Sequence, residues 1–97
     1  MNAVERLWRG IARGDYAAIA AQLHENARIE WPHTGERLSA TEYVVRQRLA
    51  GDREVRILRL LVDDERVAVH AEVGGRTVGA FYDLQQSRIA GGVEIWS

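Results

Sequence analysis

Two side chains have the chemistry for acid/base work, His33 and Tyr82. An imidazole exchanges a proton near neutral pH, and a phenol donates a hydrogen bond to a ligand carbonyl. His33 follows Trp31-Pro32 and opens the polar stretch Thr34-Gly35-Glu36-Arg37, which reads as a loop beside the mouth of a cavity. A solvated loop histidine would look the same, because no acidic partner can be assigned to it from sequence. Tyr82 lies in an alternating apolar stretch. It is equally well a core tyrosine whose hydroxyl reaches a partner or water. Trp31, Tyr16, Tyr43, Arg56 and Ala80 are the candidate lining for a flat, apolar ligand, with ordinary core packing as the competing account. That account is the better one for Trp8, which sits on a helical stripe. His70 and Glu72, two apart on a strand, point the same way and suggest metal ligands, but two ligands without a comparable third make a poor site. With Ile57, Arg59, Phe81 and Trp96 they are assigned instead to a contact between two copies of the chain, where charges normally pair.

These residues must be held by a single domain of 97 residues, a size that buries a limited core and is often helped by a partner. Thirteen basic and 14 acidic residues give a net charge of -1, which supplies no global attraction for nucleic acid or an acidic membrane. The absence of cysteine excludes disulfides and thiolate metal sites. No phosphate-loop spacing or nucleophile elbow is present, and no cofactor is implied. Without a signal-like N-terminus or a long apolar run, the expected setting is the cytoplasm.

The elements follow from periodicity. Ala3, Val4, Leu7, Trp8, Ile11 and Ala12 recur at helical spacing, and Gly14 ends that helix. Asp15 caps a second helix carrying Tyr16, Ile19, Ala20 and Leu23. Ala27 to Trp31 alternates as a short strand stopped by Pro32. Ser39 and Glu42 have capping-box spacing and open a third helix to about Ala50. Four strands follow, from about Glu54 to Val62, Arg66 to Val73, Arg76 to Leu84 and Arg88 to Trp96. Asp63-Asp64-Glu65 and Gly74-Gly75 are the turns between the first three. Pairing through those turns gathers Leu58, Leu60, Val62, Val67, Val69, Ala71, Val73, Val78, Ala80, Tyr82 and Leu84 on one face. Ile57, Arg59, Leu61, Ala68, His70, Glu72, Thr77, Phe81 and Asp83 fall on the other. The first face holds no acidic group at its centre. The expected fold is α+β, a curved antiparallel sheet wrapped around three N-terminal helices as a conical barrel.

The helix–Gly14-Asp15–helix corner, Glu30-Trp31-Pro32-His33-Thr34-Gly35-Glu36-Arg37 and the closing meander resemble the SnoaL-like branch of the nuclear transport factor 2-like (cystatin-like α+β) superfamily. The resemblance covers nearly the whole chain and implies a conical barrel with a deep pocket, commonly dimeric through its outer sheet face. It implies cyclase, isomerase or hydrolase chemistry on a small molecule, or none, since many members are non-catalytic. Three ketosteroid isomerase positions are unfilled. The base falls on Trp31, the acidic oxyanion donor near Ala80, and the first-helix tyrosine near Leu7 or Trp8. The resulting expectation is a small-molecule-binding domain using His33 or Tyr82 for any acid/base step, with a non-catalytic homodimeric module as the alternative.

Overall fold

A computed structural model describes residues 1–97. Helix α1 (Ala3–Arg13) starts on an Asn2–Glu5 capping box and ends at Gly14, whose φ of 66° is left-handed. The Asp15 side chain then accepts the Ala18 N–H at 3.0 Å and starts α2 (Tyr16–Ala21). The two helices pack tightly across this corner, because a Cβ at Gly10 would come 3.0 Å from Ile19 Cγ1. Six strands follow and enclose one more helix: β1 (Leu23–Trp31), β2 (Glu36–Ser39), α3 (Ala40–Ala50), β3 (Val55–Asp63), β4 (Arg66–Val73), β5 (Arg76–Gln85) and β6 (Arg88–Trp96).

The strand order is β2-β1-β6-β5-β4-β3, with β1 and β6 parallel and every other pair antiparallel. Edges β2 and β3 do not pair with each other, so the curved sheet is open and not a closed cone. Four further expectations change. The sheet is mixed, because Leu23 to Trp31 returns beside the last strand. Only α1 and α2 precede the sheet, and α3 follows a β1–β2 hairpin. The stretch from His33 to Arg37 is loop only as far as Gly35, after which Glu36 and Arg37 pair with Trp31 and Glu30. The His24-Glu25-Asn26 segment, polar as it is, lies within β1.

Register decides which side chains share a face. Arg59 pairs with His70, Leu60 with Val69 and Val62 with Val67, as the Asp63-Asp64-Glu65 turn predicts. A bulge between Ile57 and Arg59 then absorbs Leu58 and reverses the phase. Ile57 therefore pairs with Ala71, a buried inner-face residue, and Arg56 pairs with Glu72 on the outer face. Both residues sit on the face opposite the expected one. Trp96 also changes sides: it pairs with Val78 and is 8% exposed, inside the fold. Helices α1 and α3 cover the inner face. Val4, Leu7, Trp8 and Ile11 from α1 and Tyr43 from α3 meet Ile29, Val69, Val78, Tyr82 and Ile89 from the sheet. Side chains fill the middle of the fold.

Candidate functional site

At the centre of this filled interior lies a carboxylate. Glu94 is 0% exposed. It points inward because it shares the phase of Trp96 on β6, opposite Ala80 on β5. Four donors hold it. Oε1 accepts from Trp31 Nε1 at 3.0 Å and from Trp96 Nε1 at 3.3 Å. Oε2 accepts from Tyr43 Oη at 2.6 Å and from Tyr82 Oη at 2.7 Å. Two donors per oxygen fill the carboxylate's usual lone-pair positions. No lysine, arginine or histidine forms an ion pair with it. A buried charge held by neutral donors alone is uncommon, since burial without hydrogen bonds is strongly unfavourable.

Each donor is positioned by a different element. Tyr43 occupies the first turn of α3, whose start is fixed by the Ser39–Glu42 capping box. That box also holds the Glu42 carboxyl below the usual range, chiefly through its hydrogen bond to the Ser39 backbone. Trp31 ends β1, and Tyr82 comes from the middle of β5. The Tyr82 ring needs Gly92 across from it, because a Cβ there would lie 2.6 Å from Tyr82 Cδ1 and 2.8 Å from the Phe81 carbonyl oxygen. Burial pushes the Tyr43 and Tyr82 hydroxyls well above the ordinary tyrosine range, and the Glu94 charge adds to the effect.

Above this cluster the surface dips into an open depression of about 290 Å³. Trp31 and Trp96, two of the Glu94 donors, form part of its lining. Gln47, Leu49 and Ala50 of α3 supply one wall, and Arg46, Arg53, Arg76 and His33 complete it. The His33 ring stands 5.5 Å from Trp31, and the Arg46 guanidinium lies 5.1 Å above the same indole. Leu49, 77% exposed, makes an apolar lip. A larger cleft, about 500 Å³, opens between Glu54–Arg56 and the Gly74-Gly75 turn. It is polar, and its one cationic group, Arg56, is already paired with Glu72 at 2.7 Å.

The residues singled out from sequence are thus divided. Trp31 and His33 meet at the depression. Tyr43 and Tyr82 lie behind it with their hydroxyls turned to Glu94, and Ala80 faces that carboxylate across the strand pair. Tyr16 is elsewhere, half-buried under the Arg48 guanidinium at 5.1 Å. Arg56 projects from the outer face. Of the expected contact residues, Arg59, His70, Glu72 and Phe81 do share the outer face, whereas Ile57 and Trp96 do not. No three His, Cys, Asp or Glu side chains converge as metal ligands.

Sequence reasoning missed Glu94, Arg53 and Gln47. The first omission overturns the expectation that the inner face lacks a central acidic group. The signal existed: Glu94 is in phase with Trp96, but Gly91-Gly92 interrupts the apolar alternation that would have set the phase.

Residues 4–96 match the SnoaL-like domain family. The chain belongs to that family. No curated protein matches it in sequence. Among solved structures it resembles IdmH, a proposed polyketide cyclase from Streptomyces antibioticus. The TM-score is 0.88 at 13% identity, over 98% of this chain and 89% of the other. A proposed ketosteroid isomerase from Kribbella flavida gives 0.82 at 22%, over 98% and 75%. An epoxide hydrolase of M. tuberculosis, described as LEH-like, gives 0.78 at 18%, over 98% and 80%. At such identities the likeness establishes the fold, and the SnoaL-like chain's own side chains must argue for its chemistry.

Proposed function

We propose that this SnoaL-like domain binds a small organic molecule in the depression above Trp31 and Trp96. One observation carries the reading: the two indoles lining that space are pinned from below by a buried, fully hydrogen-bonded Glu94. Fixing aromatic surfaces in place before a ligand arrives reduces the ordering cost of binding. Retaining a buried charge where an apolar core would serve stability as well fits a site maintained for binding. The lining is aromatic at its floor and basic at its rim, rather than apolar throughout. Any acid/base step falls to His33, the one histidine bordering the space. Neighbours bearing isomerase, cyclase and hydrolase names support the same class of chemistry by analogy. No helix is long and apolar enough to cross a membrane.

A thermal-shift screen of steroid-like, polyketide-like and terpenoid compounds tests this reading, because a ligand of the folded state raises the melting temperature by mass action. The expected result is a saturable shift that Trp31→Phe, which removes the Glu94 hydrogen bond but keeps an aromatic ring, weakens. A flat response across the library would defeat it.

A second reading rests on a separate observation. In one lateral row across the outer face, Leu61, Ala68, Phe81 and Val93 stand side by side, and Leu61 and Phe81 are exposed. Such a row suits a homodimer contact, and on this reading the chain is an interaction module with no chemistry of its own. The two readings are compatible, since the row and the depression lie on opposite faces of the sheet.

A further inference from the structure

Arg53 has hydrogen-bonding capacity that the fold leaves unused. Its stem passes over the hairpin turn, where a Cβ at Gly74 would come 3.2 Å from Arg53 Cγ. The guanidinium then reaches α3 and donates through Nη2 to Gln47 Oε1. Its Nε–H is buried without an acceptor, although a buried charged donor is costly to leave unpaired. No carboxylate lies within ion-pairing distance of it. Arg76 approaches the same depression from the start of β5. Its Nε donates to the Ser97 main-chain oxygen at 2.8 Å, its Cζ lies 5.4 Å over the Trp96 ring, and no Asp or Glu pairs with it. Arg46 is different, because Glu36 already neutralises it through two bonds of 2.6 and 2.8 Å. The depression has no acidic side chain in its lining, in a chain whose net charge is -1. Two guanidinium groups without an Asp or Glu partner, beside two indole rings, are therefore a local device, not the consequence of a basic protein.

We propose that the depression takes a ring-bearing carboxylate, its anionic group on Arg53 and Arg76 and its ring against Trp31 and Trp96. Guanidinium forks match carboxylate geometry, and aromatic faces hold planar rings without demanding one shape. The volume of about 290 Å³ sets the size at one or two fused rings. The inference rests on the depression being the ligand site. A rival role for Arg53 is internal: its charge also acts on Tyr43, a contribution to stability alone.

Isothermal titration calorimetry on the whole chain separates these cases, with 2-naphthoate as the probe and the neutral 2-naphthalenemethanol as its control. The expected result is that naphthoate binds at least about tenfold more tightly than the alcohol, a difference of ~1.4 kcal/mol. Arg76→Gln should remove most of that preference by weakening naphthoate far more than the alcohol. Arg53→Gln should do the same if it folds. Because that variant can unseat Gln47, the exposed Arg76 carries the decision. Equal affinity for the two probes, indifferent to Arg76→Gln, would overturn the inference and leave the ligand-site reading standing. Naphthoate failing to bind while screened compounds do bind would have the same meaning. Failure of every compound, screened and probe alike, would remove both.

Discussion

Glu94 accepts four side-chain hydrogen bonds, more than any other residue in this domain. Glu94→Gln keeps its shape but turns an amide N–H₂ toward two donors that have no other acceptor. Leaving two buried groups unpaired costs about 3 kcal/mol or more, against a total of ~5–15 kcal/mol for a domain of this kind. Urea denaturation should show that loss as a lower midpoint with an unchanged slope. A change below about 1 kcal/mol would mean that the four-donor shell is not rigid. The tyrosines make a second expectation. Their hydroxyls are held above the ordinary range in the folded state, so the folded protein retains protons that the unfolded chain releases near pH 10. That contribution is fully present below about pH 10 and is lost as pH rises through the raised folded values. Melting temperature should therefore fall steeply in alkali, and Tyr43→Phe should flatten the fall by removing one of the two titrations. An identical slope in the variant would refute the assignment. His33 and Trp31 were legible in the sequence because the loop chemistry around Pro32 is local. Glu94 was not, because its meaning depends on four donors that come together only in the fold.

The elements show the same division between local and distant causes. Helix starts at Asp15 and Ser39 could be read directly, since a cap is decided within four residues. The β3 bulge could not, and it moved Ile57 and Arg56 to opposite faces from those that strict alternation gives. Strand β2 was invisible for another reason: four residues without alternation are a strand only because β1 lies beside them. Gln86-Ser87, between β5 and β6, carries none of the glycine signals of a tight hairpin. Gln86 at φ 53° and Ser87 at φ 64° make it a tight two-residue hairpin built without glycine. Non-glycine residues pay for that conformation, so Ser87→Gly should raise stability by about 0.5–1 kcal/mol in thermal or urea unfolding. Gly92→Ala should act in the opposite sense. Its methyl group would collide with Tyr82 and the backbone behind it, and overpacking of this kind costs about 1–3 kcal/mol. Should Gly92→Ala prove neutral, the close packing that positions the Tyr82 hydroxyl on Glu94 would not be what requires a glycine there.

At the scale of the molecule, the open sheet leaves a face that the helices do not cover. Its central row runs Leu61, Ala68, Phe81, Val93 across four strands, with Ile95 in the next row beside Gly79. Phe81 is 58% exposed at the middle of it, on a chain small enough to gain from a partner. Polar and charged groups bound the row on both sides: Asp63, Arg66 and Asp83 in one flanking row, Arg59 and His70 in the other. Both signs occur in that border, so two copies related by a twofold axis can set opposite charges against each other around an apolar centre. Light scattering should give a dimer mass at micromolar concentration, and Phe81→Glu should return the chain to a monomer by placing two like charges at the axis. Because Phe81 points away from the core, circular dichroism and ligand binding in the depression should survive the substitution. Loss of binding together with dimerisation would mean instead that the two faces of the sheet are coupled. A wild-type chain that is already monomeric would leave this apolar row without a self-association role.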